Sequence, residues 1–346
     1  MLEYNTDIVA GQVVSYTTQD GEVITLEDPR WDWRSHKMGT LRLSDLYIKA
    51  GMLDYASRAR TCATWLQYAV SADGNKRLSA VNFCQLRLCP MCSARRARRS
   101  AYKLSRVLDM VEHEHSGVRY LFLTLTVRNV SGPELGSTLS SITAAWDRLI
   151  RQRPVRRAVK GWFRALEITR RRKQYHPHLH IILAVDESYF SGGDYIPHSE
   201  WVARWRQSLR VDYDPSVRIQ VARDKDGRAS GQAAALEAAK YAVKDSDYID
   251  PRLSDTQAAE IVRVYTYALR RRRLTAFGGW LKDAARALDA DNLDDGDLVH
   301  VEDDTIREDL AEMIETYHWH FGAGDYILAG RELSPLRVVR RPAITQ

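Results

Sequence analysis

An α+β fold is expected: an antiparallel sheet in ferredoxin-like βαββαβ order, joined to a small zinc-binding module and a helical C-terminal part. Three observations predict it. From residue 119 to residue 222 strand and helix patterns follow one another as strand, helix, strand, strand, helix, strand. All four cysteines lie between positions 62 and 92. Gly231 to Lys244, with five alanines from position 233 to position 239, has strong helix propensity. The organisation that follows is an N-terminal extension at 1–60, a cysteine module with a basic helix at 61–112, the sheet domain at 117–285, and an acidic linker and tail at 286–346.

The chain has 346 residues and a formal net charge of +6. Residues 289–346 hold 14 Asp/Glu and 5 Lys/Arg, which leaves 46 basic against 31 acidic residues ahead of them. A basic excess of this size favours a polyanion such as nucleic acid. No apolar run is long enough to cross a bilayer, and the N-terminus lacks the basic and apolar pattern of a signal. A cytoplasmic protein with no membrane partner is the expectation.

Residues 1–60 offer two tryptophans among charges, Trp31 and Trp33, and weak helical periodicity from Leu41 to Tyr55. Cys62, Cys84, Cys89 and Cys92 supply four sulfurs, the number a closed tetrahedral structural Zn²⁺ site requires. Pro90 sets the turn inside the Cys89-Pro-Met-Cys92 knuckle. Buried free thiols are the alternative, since disulfides are disfavoured in a reducing compartment. Arg95, Arg96, Arg98 and Arg99 follow at once and lead into a helix through Leu108. That run suits a grip on a phosphate backbone, and equally a solvated helix face.

Tyr120 to Val127 is rich in strand formers, with Phe122, Thr124 and Thr126 opposite Leu121, Leu123 and Leu125. Ser131-Gly132-Pro133 marks a turn before a helix from Thr138 to about Arg151, where Ile142, Trp146 and Leu149 share a stripe. Trp162 to Thr169 and His178 to Val185 read as the second and third strands. The loop between them carries Arg170, Arg171, Arg172 and Lys173, candidate DNA contacts. Ser199 caps a helix with Trp201, Trp205 and Leu209 on one face, and Val217 to Ala222 is the fourth strand.

The chemistry concentrates in two places. Residues i and i+2 of a strand share a face, so His178 and His180 present two imidazoles side by side. Glu167 on the second strand comes beside them if the two strands pair as a hairpin. Two imidazoles and a carboxylate suit a catalytic Mg²⁺ or Mn²⁺ that polarises a phosphate; a core histidine pair and a hairpin salt bridge are the plain alternatives. Glu237, Lys240, Tyr241 and Lys244 share one face of the late helix. Tyr241 is a candidate nucleophile, Glu237 a general base and Lys244 a phosphate contact, although an ordinary amphipathic helix has the same pattern.

Taken in order, the series from Leu121 to Thr126, from His176 to Leu183 and from Glu237 to Lys244 resembles the three motifs of the rolling-circle replication initiators (Rep) of small bacterial plasmids, within the HUH endonuclease superfamily. The knuckle from Phe83 to Cys92 and the later Phe277-Gly278-Gly279-Trp280-Leu281-Lys282 resemble the same family. The similarity implies His178 and His180 as metal ligands, with Glu167 as the chosen third. It implies Tyr241 as the residue that forms a 5′-phosphotyrosyl link, and Glu237 as the group that activates water for terminating cleavage. The implied partners are plasmid origin DNA, a host helicase and the replication machinery. Histidines ahead of the tyrosine argue against a relaxase. A non-catalytic zinc regulator would explain the cysteines and the charge but not the ordered motifs. Ile306 to Tyr317 is expected as a short helix, and Asp289 to Asp304 as a solvated linker.

Overall fold

The structure, a computed structural model, describes residues 4–5, 15–16, 23–222, 244–301 and 311–333. Its helices are α1 (Trp33–Lys49), α2 (Leu53–Thr61), α3 (Pro90–Glu114), α4 (Gly132–Arg151), α5 (Arg153–Ala158), α6 (His198–Leu209), α7 (Asp255–Leu269) and α8 (Trp280–Ala287). Its longer strands are β1 (Trp65–Ser71), β2 (Lys76–Val81), β3 (Arg119–Thr126), β4 (Val159–Arg171), β5 (Gln174–Val185), β6 (Val217–Val221), β7 (Thr275–Gly279), β8 (Ala311–His320) and β9 (Asp325–Leu333). The chain divides into two compact units, residues 1–95 with 297–346, and residues 96–296.

The first unit contains an antiparallel sheet in the order β9-β8-β1-β2. The expected helix from Ile306 to Tyr317 is corrected by β8, which covers its residues from Ala311 onward. The physical reason is the burial period. Glu315, Tyr317 and Trp319 are buried while Ile314, Thr316 and His318 are half-buried, a period of two that a helix cannot satisfy. Leu66, Tyr68, Tyr317 and Tyr326 form the covered face, with Trp33 of α1 edge-on to Tyr326.

The second unit is built on an antiparallel sheet in the order β6-β3-β5-β4-β7. β5 lies between β3 and β4, so both of its edges are hydrogen-bonded. Phe122, Phe163, Ile182 and Ala184 on one face pack with Leu104, Val107 and Leu108 of α3 and with Leu281 and Ala284 of α8. The opposite face carries Leu179, Ile181 and Leu183, all fully buried, and Trp162, which meets Trp146 of α4 at 5.2 Å between ring centroids. α4 begins on a capping box: Glu134 accepts the Ser131 backbone N–H at 2.9 Å.

Several boundaries move. β4 and β5 are longer than expected, so the basic loop shrinks to Arg172 and Lys173 at the turn, with Arg170 and Arg171 inside β4. α6 starts two residues early, with Pro197 rather than Ser199 at its cap. Leu41 to Tyr55 is not one helix, because α1 ends at Lys49 and α2 begins at Leu53, with Gly51 at φ 74° between them. The linker expected to be solvated does expose most of its acidic residues in its described part, but it is anchored by buried ones. Asp294 is 4% exposed, and its carboxylate accepts the backbone N–H of Leu274 at 2.7 Å and the Thr275 hydroxyl at 3.1 Å at the start of edge strand β7. The expected helix from Gly231 lies outside the described residues except for Lys244. No helix among the described residues is long and apolar enough to cross a membrane.

Candidate functional site

The β4–β5 hairpin sets the site. Its register places His178 opposite Glu167 and His180 opposite Ala165, while β3 places Thr126 opposite His178 and Thr124 opposite His180. Directly paired residues share a face, so Glu167, the two histidines and the two threonines project together. His180 Nε2 is 2.6 Å and His178 Nε2 3.1 Å from the same oxygen, Oε2 of Glu167. The three side chains are 5%, 8% and 9% exposed, which removes bulk water as the partner that satisfies them.

The donor set fits a cation. His178 Nδ1 is 3.2 Å from the His176 carbonyl, an acceptor only, so that nitrogen carries the proton. In the neutral ring Nε2 is then a lone pair facing a carboxylate lone pair. Either a second proton or a positive ion must lie between them, and the carbonyl-anchored imidazole is the arrangement found behind metal-ligating histidines. Burial opposes ionisation of Glu167, but hydrogen bonds from His178 and His180 and their charge outweigh it and hold the carboxyl below its usual range. Thr124 Oγ1 lies 3.4 Å from His180 Nδ1, and the Phe122 ring sits 5.5 Å from that imidazole.

His176 stays on the same face in spite of Pro177. Its ring is 5.5 Å from that of His178, and it serves the site through its carbonyl. Lys244 is exposed and precedes a single turn at Asp245–Asp247. In that turn the Asp247 carboxylate accepts the Tyr265 hydroxyl at 2.7 Å, and Tyr265 meets Tyr175 edge-on. Desolvation raises the Asp247 carboxyl, against the Tyr265 hydrogen bond and the charges of Arg170 and Lys244. Nothing in the sequence marked this pair, because an Asp and a Tyr 18 residues apart carry no spacing signal. Glu237 and Tyr241 lie outside the described residues.

The four cysteines converge in the first unit. Cys62 ends α2, Cys84 lies between β2 and α3, and Cys89 and Cys92 flank the first turn of α3, where Pro90 takes the opening position that needs no N–H donor. The Sγ separations are 3.6 Å for Cys62–Cys92, 3.6 Å for Cys62–Cys89 and 3.7 Å for Cys84–Cys92. Sulfurs about 2.3 Å from a tetrahedral Zn²⁺ would be about 3.8 Å apart, so the set fits. None is in a disulfide.

The arginines after the knuckle turn inward. Arg95 is 6% exposed and donates to the Leu298 carbonyl at 2.8 Å, with its guanidinium 5.1 Å from the Trp31 ring centroid. In the second unit Arg96 donates to the Asp294 carbonyl and Arg99 to the Asp295 carbonyl, each at 3.0 Å. Gly296 has φ +128°, a backbone conformation that favours glycine, and a Cβ there would also push the Arg99 guanidinium aside. Arg98 is half-buried. Arg171, Arg172 and Lys173 are exposed at the hairpin tip that starts from the histidine site.

The family model described as "Replication protein" matches residues 75–327. A relative named "Protein rep" from Streptococcus pneumoniae serotype 2 is 37% identical over 278 residues, covering 79% of this chain and 84% of its own length. Relatives of the same name from Bacillus amyloliquefaciens and Lactiplantibacillus plantarum are each 33% identical, cover 86% of this chain, and are themselves covered over 94% and 95%. No solved structure matches. The resemblance drawn from the ordered motifs therefore holds across most of the molecule, and the chain belongs to the replication protein (Rep) family of plasmid replication initiators.

Proposed function

We propose that this Rep protein starts rolling-circle replication by nicking one strand of its plasmid origin, with Tyr241 as nucleophile and Glu167, His178 and His180 as holders of Mg²⁺ or Mn²⁺. The observation that carries the reading is the shared Glu167 oxygen between two buried imidazoles, in a chain of this family. An ion held there supplies positive charge to the scissile phosphate. The Tyr241 phenol gives up its proton as Oη bonds to phosphorus. The bond from phosphorus to the 3′ oxygen breaks, and that oxygen takes a proton. The products are a 5′-phosphotyrosyl link and a 3′-hydroxyl that primes synthesis.

In the same reading Glu237 activates water for the terminating cleavage, and Lys244 together with Arg171, Arg172 and Lys173 contacts DNA phosphates. Zn²⁺ on the four cysteines braces the N-terminal module without an open position for chemistry. The sheet order, with the third strand of the unit between its first and second and the fourth outside the first, supports a ferredoxin-like, HUH-type domain within 117–285. Action in the cytoplasm alongside a host helicase completes the proposal.

The deciding experiment incubates the protein with a supercoiled plasmid carrying its own coding region and with Mg²⁺ or Mn²⁺. A nicked circle with protein attached at the 5′ end is expected. Failure to nick with either ion overturns the reading, and an adduct mapped to another tyrosine overturns the assignment of Tyr241.

A further inference from the structure

The role left open for residues 1–60 finds an answer in α1. Lys37 is fully buried, and its ammonium donates to two carbonyls, that of Cys62 at 2.5 Å and that of Arg60 at 3.0 Å. One turn later Thr40, also fully buried, places Oγ1 3.4 Å from Cys89 Sγ and accepts the backbone N–H of Met91 at 3.3 Å. The Thr40 hydroxyl donates its one proton to the His36 carbonyl at 2.8 Å, so Thr40 meets the sulfur as a packed neighbour and holds the start of α3 through Met91. The Cys84 N–H points at Cys62 Sγ from the other side, at 3.4 Å.

A buried lysine is costly, since its charge loses hydration and only matching negative charge restores the balance. Two peptide carbonyls capping the end of α2 do not provide a full negative charge. Four thiolates around one Zn²⁺ do: the site carries two negative charges in excess, with Cys62, Cys89 and Cys92 buried.

We propose that Lys37 is the charge-balancing partner of the four-cysteine site, so that α1 is a working part of the metal centre and governs how firmly Zn²⁺ is held. The proposal rests on the zinc reading given above. Lys37 is a positioning residue. It touches no sulfur, and it acts on the ion through the Cys62 backbone and through its charge.

The test measures zinc content and the rate of zinc release to excess EDTA in wild type, Lys37→Met, Lys37→Arg, Thr40→Val and Ser44→Ala. Ser44 is the structural control: it is buried on the same helix and donates to the Ala56 carbonyl at 2.9 Å with no sulfur contact. Lys37→Met is expected to release zinc about 10 to 100 times faster, the range typical of lost outer partners. Lys37→Arg should stay near wild type, whereas Thr40→Val and Ser44→Ala should lose thermal stability with release unchanged. Unchanged release from Lys37→Met, or faster release from Ser44→Ala in proportion to lost stability, overturns the role of Lys37 and leaves the zinc site standing. Should Lys37→Met fail to fold, Lys37→Gln, which keeps a donor for the two carbonyls and loses the charge, decides by the same rates. Wild-type protein free of zinc removes the metal reading and this proposal with it.

Discussion

His180 and His178 share one oxygen of Glu167, at 2.6 and 3.1 Å, across the β4–β5 ladder. A single carboxylate oxygen between two imidazoles is a ligand set only if all three residues remain. His178→Ala, His180→Ala and Glu167→Gln should each keep the fold, because every neighbouring strand pairing is made by backbone. Each should lower divalent-ion affinity by at least about tenfold and abolish metal-dependent nicking at limiting ion. Calorimetric titration with Mn²⁺ checks the first effect. Normal cleavage by a variant at limiting ion would remove that residue from the set.

The cysteine site predicts about one zinc per chain in purified protein, read by elemental analysis. Cys89→Ser or Cys92→Ser should lower solubility and melting temperature before any effect on nicking, since these residues brace the start of α3 and lie in a different unit from the histidines. Four freely reactive thiols in folded, zinc-free protein would return them to the role of ordinary buried cysteines.

Glu315 makes the β8–β9 sheet acid-sensitive. Its buried carboxylate meets Lys76 at 2.7 Å, the Tyr317 hydroxyl at 2.8 Å and Arg331 at 2.8 Å. Burial would raise this carboxyl, but the three partners outweigh it and hold it below its ordinary value near 4.5. The contribution is therefore complete above about pH 4.5 and is lost as pH falls through the lower folded-state value. Glu315→Gln should cost about 1–3 kcal/mol at pH 7, discounted because Lys76 and Arg331 are partly exposed, and should remove this part of the acid transition. An unchanged difference between wild type and variant from pH 7 to pH 3 would show that Glu315 does not titrate as argued.

The strands and the His-x-His pair were readable in the sequence because period-two alternation is a local signal, but the Glu167–His178 register was not, since the residues expected as a longer basic loop continue both strands up to a two-residue turn. The β8–β9 hairpin was not readable either, since β1, the strand that β8 pairs with on its other edge, lies far back in the chain, from Trp65 to Ser71, and an acidic neighbourhood disguised the alternation of Glu315, Tyr317 and Trp319. The arginine run was misleading for a related reason. Arg95 and Arg99 look like phosphate contacts until the carbonyls of residues 295 and 298 arrive from the far end of the chain. Lys37 and Thr40 carried no signal, because nothing in α1 reveals which side chains will face the sulfurs.

Tyr241→Phe should abolish nicking and the covalent adduct while leaving origin binding nearly intact, since only the attacking oxygen is lost. Band-shift binding and plasmid nicking measured together check this. Among the alternatives, Tyr265 is fully buried and bonded to Asp247, and Tyr248 is 2% exposed. An adduct persisting in Tyr241→Phe at either of them would defeat the assignment.

Glu237 separates an initiator that ends replication by hydrolysis from one that only transfers strands. Four residues before Tyr241, its carboxylate would act through a water on the same phosphate in the second cleavage, as a general base. In the proposed reading the first cleavage takes Tyr241 as its nucleophile and needs no such water. Glu237→Ala should thus nick supercoiled origin DNA at a near-normal rate but fail to release terminated circles, and Glu237→Tyr should regain termination by offering a second transferable oxygen. Nicking and circle release scored in the same reaction check both. Equal loss of the two steps in Glu237→Ala would make the residue a partner of the metal or of Lys244, and the division of labour between glutamate and tyrosine would fall.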